Sequence, residues 1–118
     1  MDVELGIAHP PGLELDPDLT EGIPISHQQD QALKDADFVY VKNWSSFREY
    51  GKVLTEDPAW MMTHEKLAGA QFMHCLPVRR NVVVEDAVLD GGNSLVLEQA
   101  SNRTLSAQLA LLHMLEAL

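Results

Sequence analysis

Phe38-Val39-Tyr40-Val41-Lys42-Asn43-Trp44-Ser45-Ser46 is the stretch on which the reading of the fold turns. Four consecutive β-branched or aromatic side chains leave no polar position for a solvent face, the pattern of a strand buried on both faces, and the run then breaks into a polar cluster. Upstream, Val3, Leu5 and Ile7 alternate with acidic or small residues as far as His9-Pro10-Pro11-Gly12, which predicts a first strand over Val3 to Ala8 and a turn. From Gly12 to Pro24 the chain is mostly acidic and is broken by Pro17 and Gly22, so it reads as a loop. Ser26 then caps a helix running through Gln29 and Leu33 to about Lys34. Downstream, no period appears between Phe47 and Pro58, which predicts a long loop. Thr63 followed by Glu65, Lys66 and Leu67 predicts a capped short helix, and Gln71-Phe72-Met73 a third, very short strand. Val82-Val83-Val84 has strand propensity but leads into Glu85-Asp86-Ala87-Val88-Leu89 and then Asp90-Gly91-Gly92, and is read as loop plus short helix. Ser94-Leu95-Val96-Leu97-Glu98 is expected as the fourth strand, after which Leu105, Leu109, Leu112 and Leu115 recur at helical spacing. Strands alternating with helices indicate an α/β fold, a parallel sheet of about four strands with flanking helices. Ligands of such sheets bind beyond the carboxyl ends of the strands, where Lys42, Cys75 and Arg103 are expected to fall.

The 118 residues, 46% of them apolar, suffice for one domain with a modest core. Eight basic against eighteen acidic residues give a formal charge of −10, a field that repels nucleic acid and anionic membrane. The amino terminus has no basic region leading into an apolar stretch, and nowhere do eighteen apolar residues run together. A cytoplasmic chain is therefore expected. The single cysteine, Cys75, excludes an internal disulfide and a cysteine-rich zinc site, and the five histidines are scattered, so no metal is expected. Gly91-Gly92 precedes a predicted strand, the wrong context for a nucleotide-binding loop, and no cofactor is expected.

The chemistry gathers in His74-Cys75-Leu76-Pro77-Val78-Arg79-Arg80-Asn81, where a thiol, two guanidinium groups and an X-Pro bond follow a buried strand. Each residue also has an ordinary reading. A lone cysteine after a strand packs as a small hydrophobe, and Lys42 alone is a solvated strand-end charge. Arg79 and Arg80 serve as surface charges, Arg80 pairing with local carboxylates, and Arg103 pairs with Glu98 or caps a carbonyl. His74 reads as a hydrogen-bonded structural histidine rather than a base. An unrelated enzyme with a nucleophilic cysteine needs a base near Cys75, and adjacent strand-end residues such as His74 point apart. The terminal leucine stripe reads as core or interface.

That octet resembles the His-Cys-Leu-Pro signature of ornithine carbamoyltransferases, in the form extended by Arg-Arg-Asn that is similar to N-acetylornithine and N-succinylornithine carbamoyltransferases. His9-Pro10, Ala36-Asp37-Phe38-Val39-Tyr40 with Lys42-Asn43-Trp44, Trp60, and Ala100-Ser101-Asn102-Arg103 follow in the same order, so the resemblance covers nearly the whole chain. It implies a partial doubly wound, Rossmann-like parallel sheet over residues 1–118, the aspartate/ornithine-binding domain of such an enzyme. The activity implied is transfer of a carbamoyl group from carbamoyl phosphate to the δ-amine of an N-acylornithine, in arginine biosynthesis, with neither metal nor covalent intermediate. Catalysis would then consist of positioning and charge stabilisation. By resemblance, Cys75 touches the acceptor beside its amine and the Leu76 carbonyl accepts a hydrogen bond at the carbamoyl NH2 or the incoming amine. Lys42 binds the α-carboxylate or acyl end, Arg79 pairs with a succinyl carboxylate, and Arg103 reaches carbamoyl phosphate. The planar fork of a guanidinium suits the last two tasks. The resemblance also implies a cis Leu76-Pro77 bond and, for whole family members, a homotrimer.

The Ser-Thr-Arg-Thr-like and His-Pro-x-Gln-like stretches with which the family holds carbamoyl phosphate do not occur among these residues. The expectation is a chain without the carbamoyl phosphate domain and without the first, central strand of its own domain. A noncatalytic binding or interaction module is the alternative.

Overall fold

The computed structural model describes residues 3–46, 48–49 and 51–117. Phe38–Val41 is a strand, as its composition dictates, and it is labelled β3 because Ile7–Ala8 (β1) and Ile25–Ser26 (β2) precede it. Gln71–His74 forms β4. All pairing is parallel: β1 with β2, and β3 with β4 in the register Phe38 to Gln71 through Val41 to His74. The described strands thus make two two-stranded sheets. Between the strands in sequence lie α1 (Pro17–Thr20), α2 (Gln29–Leu33), a 3-10 turn at Pro58–Trp60 and α3 (His64–Leu67), and after β4 come α4 (Asp86–Leu89) and the long α5 (Val96–Glu116).

The expected α/β class with parallel strands and flanking helices is what the chain adopts, with differences in detail. Strand one is shorter than Val3 to Ala8, because Ile7 and Ala8 alone find partners, in Ile25 and Ser26, while Val3 and Leu5 are exposed. Ser26 lies in β2, and its hydroxyl accepts the Gln28 N–H at 3.0 Å, so the helix begins only at Gln29. The fourth strand over Ser94 to Glu98 does not form. Its start does run beside β4, with the Phe72 N–H donating to Asn93 O at 2.8 Å and the Leu95 N–H to Phe72 O at 2.8 Å. From Val96 onward the backbone turns into α5, the Gln99 N–H donating to Leu95 O at 2.8 Å.

Parallel register places Val39 and Val41 beside Phe72 and His74 on one face of the β3–β4 ladder. That face carries the core, where Phe72, Val83, Val84, Val88 and Met62 are almost wholly buried with Leu67, Leu89 and Val96. The other face carries Phe38, 64% exposed, and Tyr40, 51% exposed, so β3 is buried on one face and not on two. Helices α3 and α4, the 82–84 segment and the start of α5 all pack on the Phe72 side, and nothing among the described residues covers Phe38 and Tyr40. Segment 82–84 stays loop, as expected, its main chain bridged to Met62 and to Arg80. Thr63 caps α3, its hydroxyl accepting the Lys66 N–H at 3.2 Å. Helix α5 is anchored by Val96 and then leaves the core: Leu105, Leu109, Leu112 and Leu115 are each about half exposed. Among the described residues no helix is long and apolar enough to cross a membrane.

Candidate functional site

Strands β3 and β4 end side by side, so the residues that follow them meet. The Lys42 ammonium donates to the Cys75 thiol across 3.5 Å, a contact between residues 33 positions apart. Cys75 is exposed, which removes the reading of a small buried hydrophobe. Next to Lys42, the Asn43 side chain reaches across the same edge: its amide N–H donates to Pro77 O at 2.9 Å and its Oδ1 accepts the Arg79 N–H at 3.3 Å. Trp44 packs against the core and fixes the stem of this turn. Lys42-Asn43-Trp44 therefore acts as one device, with the ammonium at the thiol, the amide holding the far side of the corner and the indole as anchor.

The corner itself is unusual. The Leu76-Pro77 bond is cis, as the resemblance implied, and Leu76 sits at φ +52°, in the left-handed region. The Leu76 N–H donates to His74 Nδ1 at 2.9 Å, and the His74 N–H donates to the Gln99 side-chain oxygen at 3.1 Å, tying the corner to the first turn of α5. His74 is 1% exposed and its Nε2 has no hydrogen-bond partner. Burial, and after it the positive charge of Lys42, pushes the His74 imidazole below its ordinary value. It is a hydrogen-bonded structural histidine held neutral.

After the corner the two arginines part company. Arg79 is half-buried and forms an ion pair with Glu56, from the long loop before the 3-10 turn. Arg80 turns to α4, donating to Asp86 at 2.6 Å and to Asp90 at 2.9 and 3.0 Å, and its guanidinium holds both carboxyls below their usual range. Asn81 completes the staple, its amide bonded to Asp86 Oδ2 at 2.8 Å and its Oδ1 accepting the Asp86 N–H at 3.1 Å. Arg80 is structural, as its ordinary reading held.

Lys42, Cys75, Leu76 and Arg79 are thus brought to one edge, whereas Arg103 is carried by a different kind of element from the one expected. Because Ser94 to Glu98 is not a strand, Arg103 lies within α5 rather than just past a strand end. It lines an open groove of about 470 Å³ with Met73, Leu95, Gln99 and Asn102, one turn beyond the Gln99 that holds His74. Among the described residues no ion pair joins it to Glu98, and no hydrogen bond joins it to Lys42 or Cys75. Asn43, Gln99 and Glu56 were not singled out from sequence. Asn43 had a signal, its place between Lys42 and Trp44, while Gln99 and Glu56 had none. No group of three or more His, Cys, Asp or Glu among the described residues is placed to hold a metal ion.

Residues 1–115 match the family described as aspartate/ornithine carbamoyltransferase, Asp/Orn binding domain. The chain is 41% identical over 122 residues to the N-succinylornithine carbamoyltransferase of Bacteroides fragilis, an alignment covering 99% of this chain and 38% of that protein. It is 38% identical over 88 residues to the N-acetylornithine carbamoyltransferase of Xylella fastidiosa, covering 67% of this chain and 26% of that protein. Among solved structures, acetylornithine transcarbamylase complexed with acetylcitrulline superposes with a TM-score of 0.68 at 30% identity, over 82% of this chain and 35% of that one. A variant of N-acetyl-L-ornithine transcarbamylase complexed with carbamyl phosphate and N-succinyl-L-norvaline superposes equally well, with a TM-score of 0.68 at 30% identity, over 82% of this chain and 35% of that one. The chain spans 38% of the length of the first of these relatives.

Proposed function

Because this chain belongs to the Asp/Orn-binding-domain family of aspartate/ornithine carbamoyltransferases, we propose that it is the acceptor-binding part of an enzyme that carbamoylates the δ-amine of an N-acylornithine. The observation that carries this reading is the meeting of Lys42 and Cys75, 3.5 Å apart, at the carboxyl ends of β3 and β4. A parallel sheet presents its ligands there. An N-acylornithine offers what the edge can read: a carboxylate for Lys42, an aliphatic stem and neutral δ-amine for the Cys75 thiol, and an amine N–H for the Leu76 carbonyl. Arg79 is free to exchange Glu56 for a carboxylate on the acyl tail, which favours an N-succinyl acceptor.

In this scheme the protein moves no proton through a dedicated base and forms no covalent bond. The neutral amine attacks the carbamoyl carbon, phosphate leaves with the C–O bond pair and takes the proton that the amine loses, and the edge contributes alignment. Arg103 is the candidate contact for the phosphate of carbamoyl phosphate. The complete enzyme is proposed to act as a homotrimer in arginine biosynthesis.

The test is a calorimetric titration of the chain with N-succinylornithine, N-acetylornithine and ornithine, each with and without carbamoyl phosphate. Saturable binding of an N-acylated ornithine in preference to ornithine is the expected result. Heats no larger than dilution for all three acceptors would defeat the reading. Binding of acceptor unaffected by carbamoyl phosphate would favour a noncatalytic binding module, a reading suggested by Arg103 being the one candidate phosphate contact among the described residues.

A further inference from the structure

We infer that His74 is a positioning residue whose imidazole Nδ1 holds the Leu76 N–H and thereby fixes the Cys75-Leu76 corner that aligns the acceptor amine, an inference that rests on the acceptor-site reading above. The ring stands at the last residue of β4, 1% exposed, on the same face as Phe72. Its Nδ1 accepts the Leu76 N–H at 2.9 Å, so the neutral ring carries its proton on Nε2. That Nε2 is buried without a partner. A buried N–H with no acceptor is a cost that leucine or phenylalanine in the same space would avoid. What the imidazole supplies and they do not is an acceptor two residues ahead.

Leu76 needs one. At φ +52° a residue with a β-carbon is held against its own sterics and stays only where its surroundings over-determine it. Released, Leu76 relaxes toward negative φ, which rotates the Leu76 carbonyl away from its alignment with the Cys75 thiol that meets Lys42 at 3.5 Å. The main chain of His74 is itself held, since its N–H donates to Gln99 at 3.1 Å, so the ring cannot follow Leu76. The charged group that faces the ring is Lys42, from the end of β3, and the side chain that meets His74 from α5 is the neutral Gln99.

Three substitutions separate the acceptor from the packing. His74→Asn places an oxygen where Nδ1 stood, His74→Gln places one near Nε2, and His74→Leu offers none. Nitrogen-15 spectra of the imidazole in the 118-residue chain read the tautomer, amide exchange at Leu76 reads the bond, and calorimetry reads N-succinylornithine binding. The expected result is a proton on Nε2, with Leu76 exchange and N-succinylornithine dissociation constant each raised about tenfold in the Gln and Leu variants and within about threefold of the parent in the Asn variant. Acidification should release Leu76 with the midpoint of the imidazole titration in the parent, and not in the Asn variant. A proton on Nδ1 in the parent overturns the inference even if no variant folds, and so does equal protection in the Asn and Gln variants. A parent chain with the expected tautomer and protection that binds no N-succinylornithine overturns the acceptor-site reading, and leaves His74 holding a corner with no part in alignment.

Discussion

Arg79 and Arg80 are neighbours with opposite partners: one faces a loop carboxylate at the candidate site, the other is locked to Asp86 and Asp90 on α4. Replacing Arg79 by alanine in the complete enzyme should weaken an N-succinyl acceptor by about 1.5–3 kcal/mol, a charge-assisted pair, and an N-acetyl acceptor hardly at all. Equal losses in the two titrations would show that Arg79 does not read the acyl tail. His74 makes a separate, pH-dependent prediction. Its folded imidazole lies below the ordinary 6.5, so as pH falls through that value the unfolded chain takes up a proton before the folded one does. Stability is therefore fully present above about pH 6.5 and declines toward the lower folded value. Urea midpoints taken from about pH 7 down to about pH 5 should fall in the parent and fall less in His74→Asn, and a flat profile in the parent would contradict the direction of the shift. At this scale the sequence was informative about the meeting of Lys42 with Cys75, not about the helical setting of Arg103, and mute about what holds the corner. Lys42 and Cys75 each follow a β-prone run, a local signal. The two bonds of Asn43 go to backbone groups 34 and 36 residues away, and no local pattern encodes such partners.

Among the elements, α3 tests capping. Thr63→Ala removes the acceptor for the Lys66 N–H and should cost about 1 kcal/mol in a denaturant titration, while Thr63→Ser should cost far less. The glycine pair after α4 gives a sharper contrast. A Cβ on Gly91 would stand 2.6 Å from the Ala87 carbonyl oxygen, whereas one on Gly92 meets nothing within 4 Å. Gly91→Ala should therefore destabilise by about 1–3 kcal/mol through enforced movement of α4, and Gly92→Ala should be near neutral. Comparable midpoints for the two variants would refute the close approach. The elements legible in sequence were those with a run of like residues, a cap, a helical period or a closing glycine turn: β3, β4, α2, α3, α5 and the short α4. Strand β2 spans two residues, Ile25–Ser26, too few to show a period, and Ser26 looked like a cap because a serine serves both turns and helix starts. The misplaced fourth strand has a different cause. Leu95, Val96 and Leu97 suit a strand by type, and Ser94 does bridge to Phe72, but the helical register of the following leucines extends back through Val96 and takes those residues into α5.

Taken whole, the chain is more extended than its length requires. Its radius of gyration is 16.0 Å, against roughly 13–14 Å for a compact domain of this size. Helix α5 accounts for the excess, since beyond Val96 it buries little and exposes Leu105, Leu109, Leu112 and Leu115. An apolar stripe of that length on a free chain favours association. The mass measured by light scattering should rise with concentration, and changing Leu109 and Leu112 to glutamine should suppress the rise; a parent of constant monomeric mass would contradict it. The parallel pairing of β3 with β4 has one more consequence, and it concerns time. Phe38 and Gln71 cannot pair until the intervening chain has closed on itself, an entropic debt of about 3 kcal/mol that no contact within either strand offsets beforehand. The ladder that closes that loop is the same one that carries the ammonium of Lys42 to the thiol of Cys75. Cysteine reactivity and sheet hydrogen exchange should accordingly appear together in a refolding experiment, after helicity in α5, because the site has no existence earlier than the long-range closure that makes the sheet.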